Sequence, residues 1–388
     1  MKNLKKGLLI LITVNNIFLS SGCWNYREIN SLGIVAGFAV DKDPKTNHFI
    51  LTTEVIDTLK RGEGEVVGSR VYQTEGETVF DAVRDILIKK SEKSYFAHTK
   101  VLIVSKQIAE SGDIVPIIDF INRDPEMRED MKLLVSHKET AGQILNRPGK
   151  RSDDIISFTI EQAVRYEKFI AKYPTTDVWE FIDELAAEGS SPFVPSIDTS
   201  VESDKEVFRV FGGYAFKKQK AVAWLNSLES RAAKWFRNEI KGGIMQVQIE
   251  AEGVKSRTDL EMFGSKTKIK PITKDEKLIM NVYVEIEAGI ASLDGKKDNL
   301  NAPNRQILQK EAEQKVRNDM YKVLNMAQKE FKSDIFGFSG AVQRELPGEW
   351  KKIKKNWNEE FENLQVNIDV KVNLIGSATS PKPIKIGE

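Results

Sequence analysis

The chain has 388 residues, with 58 Lys+Arg against 57 Asp+Glu, three His and one Cys; 40% of it is hydrophobic and 30% charged. That length allows two or three domains, each with its own core, and the charge balance excludes the strong basic excess of a nucleic-acid binder. One cysteine closes no internal disulfide and builds no Cys-based zinc or iron–sulfur site, and the mixture is too apolar for a disordered chain.

Lys2, Lys5 and Lys6 flank an apolar run over residues 7–19, and Ser20-Ser21-Gly22 leads into the only cysteine, Cys23. A basic start, an apolar stretch and a small-residue exit form a secretory signal peptide, and the run is too short for a spanning helix, which needs ~20 apolar residues. Leu19-Ser20-Ser21-Gly22-Cys23 resembles a bacterial lipobox, in which the thiol takes a diacylglyceryl group and becomes the mature N-terminus. It departs in one place: the large aliphatic residue usual three positions before the cysteine stands four before it, as Leu19. The alternative is an ordinary cleaved signal peptide with a free thiol nearby. One acyl chain holds a membrane only marginally, at ~0.8 kcal/mol per buried CH₂, and two hold it stably. Loss of residues 1–22 leaves 55 basic against 57 acidic residues, so attachment is expected to rest on lipid and partners rather than on net charge.

Residues 32–40 and 49–56 read as strands joined by the turn-rich 41–47, and 66–73 as a third strand. Thr78 opens a helix, with Asp81 three residues on and Val79, Phe80, Val83, Ile86 and Leu87 on one apolar face. A strand at 100–105, a helix at 114–121 and a strand at 132–136 follow, without a strict βαβ rhythm. Residues 151–188 are helical in pattern, broken at Tyr173-Pro174, and 189–195, with two prolines, is a linker candidate. Residues 207–216 and 221–224 read as a hairpin. A helix over 227–240, with Ala232, Trp235 and Phe236 inward, ends at Lys241-Gly242-Gly243.

Strands are expected at 244–252, 266–270, 278–290 and 366–374. The last two alternate apolar and polar residues, as in an antiparallel sheet with one face covered by helices. The covering helix spans 303–331, with Leu308, Ala312, Val316, Met320, Val323/Leu324, Ala327 and Phe331 as its stripe. The expected fold is α+β and multi-domain, with mixed and antiparallel sheets covered by helices and a C-terminal antiparallel sheet with a long helix. Its parts are the signal peptide 1–22, an N-terminal α+β domain 23–195, a middle hairpin-plus-helix domain 196–242 able to recruit 151–188, and a C-terminal α+β domain 243–388.

The chain shows little chemistry. His48, His98 and His137 are widely spaced without HExxH or His-x-His pairing, and neither GxSxG nor GxxxxGK[ST] occurs. Gly62-Glu63-Gly64 is a poor phosphate loop, because Glu65 would repel the ligand. No catalytic residue, metal or cofactor is assigned. In Arg123-Asp124-Pro125-Glu126-Met127-Arg128-Glu129-Asp130 the arginines hold the carboxylates ionised, which spoils a proton donor. Two readings remain: a salt-bridged turn, or a partner-docking surface contacted through Arg123, Asp124, Glu126 and Arg128. The basic run Lys351-Lys352-Ile353-Lys354-Lys355 reads as a solvated helix face with Trp350, Ile353, Trp357 and Phe361 buried, or as a contact with anionic lipid headgroups.

Cys23-Trp24-Asn25-Tyr26-Arg27-Glu28-Ile29 resembles the anchor motif of the Ger(x)C family, the C-subunit lipoproteins of spore germinant receptors; Asn25 replaces the more usual Asp. His98-Thr99-Lys100-Val101, Asp119-Phe120 and Arg123-Asp124-Pro125-Glu126-Met127-Arg128 resemble the family's central N-terminal motif. Asp334-Ile335-Phe336-Gly337-Phe338, Pro347, Trp350, Lys351, Trp357 and the strand through Gly376 are similar to its C-terminal motifs. The resemblance runs in order through essentially the whole mature chain. It implies three α+β domains and a non-enzymatic subunit, exported and lipid-anchored at the spore inner membrane beside integral-membrane A-type and B-type receptor subunits. It implies no ligand-binding residue. A rival reading is a solute-binding lipoprotein that captures the nutrient in a cleft near 189–195. A third is an envelope hydrolase using His98 or His137 beside a carboxylate.

Overall fold

The computed structural model of the chain describes residues 6–7, 32–61, 64–90, 92–146, 155–202, 205–251, 254–293 and 302–377. Cys23, most of the signal segment, the motif at residues 23–29, Gly62, Glu63 and residues 151–154 lie outside the described residues.

The first sheet begins with β1 (Leu32–Lys42), β2 (Phe49–Arg61) and β3 (Gly64–Gly76), an antiparallel meander. Helix α1 (Val79–Lys89), capped by the Thr78 hydroxyl accepting from Asp81 N, leads to the short β4 (Lys93–Tyr95) beside β1. β5 (Val101–Ser105), α2 (Lys106–Ser111), α3 (Ile114–Arg123) and β6 (Lys132–Ser136) follow. Then come α4 (Gly142–Leu145), α5 (Ile156–Arg165), α6 (Glu167–Ile170) and α7 (Val178–Ala186). The sheet closes with β7 (Phe193–Glu202), β8 (Lys205–Lys217) and β9 (Lys220–Leu225).

The strand order is β3-β2-β1-β5-β6-β7-β8-β9, with β1, β5, β6 and β7 parallel at the centre and antiparallel pairs on both flanks. Parallel strands covered on both faces need continuous apolar runs, and Val101–Ser105 is buried throughout. The expected boundary at residue 195 falls inside β7. Ser191 and Phe193 are buried, and Pro192 O accepts from Phe216 N at 2.9 Å, so residues 189–195 deliver a strand to the sheet instead of leaving it.

Two buried carboxylates fasten helices onto this sheet. Glu54 on β2 accepts from Ile156 N (3.0 Å), Ser157 N (2.7 Å), Ser157 Oγ (2.6 Å) and Ser69 Oγ (2.6 Å), capping α5 from about a hundred residues away. Asp41 on β1 accepts from Ala141 N (2.6 Å) and Gly142 N (2.8 Å) at the start of α4. Burial pushes the Asp41 carboxyl up, and the two amides pull it back only in part. Gly37 lets α5 approach, since a Cβ there would stand 2.6 Å from Val101 Cγ2 and 2.7 Å from Ser157 Cβ.

Helix α8 (Ser227–Phe236) joins the two sheets. It stops earlier than Lys241-Gly242-Gly243, because Asn238 takes a left-handed backbone at φ 58°. The second sheet has the order β10 (Gly243–Ala251), β11 (Val254–Lys274), β12 (Lys277–Leu293) and β13 (Gln365–Ser377). β11 and β12 turn over at Asp275 and Glu276, whose φ angles of 49° and 60° suit a tight hairpin. β10, β11 and β12 are antiparallel neighbours, whereas β13 runs parallel to β12. Alternation marks one buried face in either case; strand direction follows from the helical crossover before β13.

That crossover is α9 (Ala302–Asn325), continued by a π-helical turn over Met326–Glu330, then α10 (Phe338–Glu345), α11 (Pro347–Ile353) and α12 (Trp357–Asn363). The expected stripe from Leu308 to Phe331 is buried along its whole length. The π turn places Gln328 Nε2 to donate to Phe361 O (2.9 Å) and Leu364 O (2.8 Å). Trp350, Trp357 and Phe361 are buried as their spacing predicts, although a 3₁₀ turn at Lys354–Asn356 splits the helix.

Candidate functional site

Helix α1 carries more apolar residues than it buries. Val79, Ala82 and Ile86 face the core, while Phe80 is 47% exposed and Leu87 44%. Phe80 leans on Phe120 of α3 with ring centroids 6.0 Å apart, and the Arg84 guanidinium sits 4.7 Å from the Phe80 centroid. Around this pair lies an open groove of about 760 Å³ floored by Phe80, Phe120, Pro116 and Pro125. A smaller cavity of about 160 Å³ shares Phe80, Arg84, Asp124 and Pro125 with it.

The structure brings three of the four expected docking residues here. Arg123 and Asp124 line the groove, and Glu126 lines the smaller cavity. Arg123, the last residue of α3, donates through Nε to Asp119 at 2.9 and 2.8 Å, which raises its pKa further. Asp124 accepts from Glu126 N at 2.8 Å, shaping the turn, and Glu126 pairs with Lys93. Arg128 lines neither cavity; it pairs with Asp130 at 2.6 Å and holds that carboxyl below its usual range. The salt-bridged turn therefore borders the groove and the smaller cavity. The sequence reading missed Phe80 and Arg84 as site residues. Its signal was an apolar face on α1 broader than one packing contact needs.

A second constellation fastens the two sheets together. Lys234 of α8 is buried with Glu167 at 2.7 Å and Glu239 at 3.6 Å. Arg237 pairs with Glu184 of α7 and with Glu239, each at 2.7 Å, and donates to Ile335 O at 3.0 Å. Burial opposes the charge on Arg237, but the Glu239 and Glu184 carboxylates outweigh it and raise the pKa. Beside it, buried Asp334 accepts from Phe336 N and Phe338 N (each 3.2 Å), Ser339 N (2.8 Å) and Trp357 Nε1 (3.2 Å). Burial pushes the Asp334 carboxyl up against those donors. The motif at residues 334–338 thus sets the turn before α10 and holds the Trp357 indole, which rests on Trp350 with ring centroids 5.4 Å apart.

The histidines are dispersed. His48 Nδ1 lies 3.0 Å from Glu75 on an exposed edge, His98 meets Tyr95 edge-on, and His137 Nδ1 lies 2.7 Å from Tyr214 Oη among Phe211 and Trp224. No group of three or more His, Cys, Asp or Glu that could hold a metal occurs among the described residues. The basic run is salt-bridged in part, Lys352 to Glu349 (2.7 Å) and Lys354 to Glu188 (3.0 Å).

A mixed sheet clasped to a mainly antiparallel sheet under a long helix defines an α+β protein of the kind seen in the crystal structure of the GerBC protein. That match covers 87% of this chain and 97% of that one, with a TM-score of 0.53 and 21% identity. Residues 25–199 match the spore germination protein N-terminal domain, and residues 212–378 match the spore germination B3/GerAC-like C-terminal domain. The chain belongs to the Ger(x)C family of spore germination proteins. It is 24% identical to spore germination protein KC of Bacillus subtilis (strain 168) over 98% of each chain. It is 23% identical to spore germination protein B3 of the same organism, over 93% of this chain and 95% of that one. Among the described residues no helix is long and apolar enough to cross a membrane.

Proposed function

We propose that the chain is a lipid-anchored, non-catalytic subunit of a nutrient germinant receptor in the spore inner membrane. It holds the receptor together through protein–protein contacts with the integral-membrane A-type and B-type subunits. Cys23 carries the lipid, and the groove between α1 and α3 receives an apolar side chain of a partner, with Arg84 and Arg123 on its rim. The observation that carries the docking role is the exposed Phe80 resting on half-buried Phe120 beside the Asp124-Pro125-Glu126 turn. The end-to-end likeness to spore germination proteins supports the receptor setting.

Co-purification of the intact chain with the membrane subunits tests the docking role. Phe80→Ser and Arg123→Glu lower the yield of complex while leaving thermal unfolding unchanged, because both side chains are exposed. Unaltered co-purification by both variants refutes this surface. Cys23→Ala tests the anchor: it releases the chain from the membrane fraction, and an unchanged fraction with a normal nutrient response refutes it.

A further inference from the structure

One turn before Lys234 on α8, beside Arg231, a cleft of about 770 Å³ opens between α6, α8 and the outer faces of β10 and β11. Its apolar wall is Phe169, Ile170, Leu228 and Ile244, all exposed, with Phe169 at 63%. Its polar lining includes Lys172, Arg231, Arg257, Lys315 and, as the single carboxylate among the described residues, Asp259. The whole chain is nearly neutral, so four cations against one acid is a local excess.

Arg231 differs from the other cations in and just after its helix. Lys234 and Arg237 each have carboxylates in contact, whereas Arg231, only 8% exposed, has none within ion-pair distance among the described residues. Its Nε and Nη2 donate to Ala171 O (3.2 Å) and Ile170 O (3.5 Å), carbonyls at the end of α6. Nη1 has no partner among the described residues. Burial pulls the guanidinium pKa down, with the distant Asp319 charge as the only opposing influence. Asp259 complements it: Oδ2 accepts from Ser292 Oγ at 2.7 Å, while the buried Oδ1 has no donor among the described residues. Lys172 and Arg257 on the rim make no ion pair among the described residues, and Lys315 is shared with Asp319 at 3.2 Å.

We propose that this cleft binds a small organic anion that carries an apolar body and a hydrogen-bond donor. Its carboxylate or phosphate meets Arg231 and the rim cations, its donor meets the Asp259 carboxylate, and its apolar body lies against Phe169, Ile170, Leu228 and Ile244. A ligand of this class supplies both missing partners at once. The chemistry is shared by free amphiphilic acids and by the headgroup of an anionic phospholipid. The cleft has no residue in common with the α1–α3 groove, so the docking reading stands or falls separately.

Titration calorimetry on the intact chain tests the proposal with four probes. L-leucine has the anion, the donor and the apolar body; isovalerate lacks the donor; isoamylamine lacks the anion; soluble dihexanoylphosphatidylglycerol carries a phosphate, hydroxyl donors and apolar tails. L-leucine or the lipid binds saturably, isovalerate binds about tenfold more weakly than L-leucine where leucine binds, and isoamylamine does not bind. Saturation by L-leucine alone identifies a free solute as the source; saturation by the lipid alone identifies a headgroup. The double variant Lys172→Glu/Arg257→Glu, both rim positions, loses about tenfold in affinity with unchanged thermal unfolding. Absence of saturable binding by both L-leucine and the lipid up to about 10 mM overturns the proposal. So does isoamylamine binding as tightly as L-leucine, or a rim variant that binds like the parent.

Discussion

Gly189 sits in a tight contact at the junction between the two sheets, and Gly189→Ala tests that junction directly. Its φ of +82° is left-handed, and an added Cβ would stand 2.6 Å from Trp357 Cδ1, 2.9 Å from Ser339 Cβ and 3.0 Å from Trp350 Cη2. The left-handed backbone costs a residue with a Cβ ~1–2 kcal/mol. Forcing a methyl into a packed contact costs a further ~1–3 kcal/mol, because the Trp350–Trp357 pair is held by Asp334 and cannot retreat freely. The expected loss is therefore ~2–5 kcal/mol, which lowers the urea midpoint by roughly 1–2 M. Unfolding followed by tryptophan emission reads it, since Trp350 and Trp357 lie at the perturbed contact. Gly348→Ala is the control. A Cβ at Gly348 meets nothing within 4 Å, and its position in α11 predicts unchanged or slightly raised stability. A Gly189→Ala protein within ~0.5 kcal/mol of wild type, with unchanged emission, refutes the account of the junction.

Further outcomes follow from the buried charges. Glu54→Ala strips the acceptor from two amides and two hydroxyls and is expected to cost ~3–5 kcal/mol by denaturant unfolding; Glu54→Gln, which keeps one acceptor oxygen, costs less. Lys234→Met leaves Glu167 buried without its cation, at ~3–5 kcal/mol, and adding Glu167→Gln restores part of that loss; a double variant no more stable than the single one speaks against the pairing. His137 has its pKa lowered, chiefly by burial, with Lys106 and Arg209 acting in the same direction and Asp198 opposing. A depressed folded pKa means stability present above the unfolded pKa of about 6.5 and lost as pH falls through the folded value. His137→Asn should flatten that decline between neutral pH and pH 5, and an unchanged profile shows that other groups govern it.

Much of the secondary structure is legible because it is local. The stripe from Leu308 to Phe331 predicts a helix and its buried face, and both are present. The hairpin at residues 207–224 is found in register, with Lys217 opposite Lys220. The same rules mislead where one pattern has two outcomes. Alternation at residues 366–374 fits a parallel strand as well as an antiparallel one, and β13 proves parallel. Two prolines near residue 192 suggest a linker, yet they precede and occupy the start of β7, which joins the sheet through β6 and β8. Phe80 looks like core because it shares a helix face with Ile86; only the position of α3 leaves it open.

The sequence by itself determined most of the longer strands and helices and which of their faces are apolar, though not β7 or the first half of β11. It also contained the ordered run of motifs that marks the family, since short-range periodicity and residue type suffice for both. Tertiary structure alone decided the strand order, the capping of α5 by Glu54 and the pairing of Lys234 and Arg237 with Glu167 and Glu184. It also decided that Arg231, three residues before Lys234 on the same helix, faces a cleft with no carboxylate in contact among the described residues. These depend on groups that meet across 50 or more residues of chain, where a lysine, arginine or glutamate reads the same whether or not its partner arrives. A charged residue becomes informative only when burial removes water and leaves it either paired or waiting for a ligand.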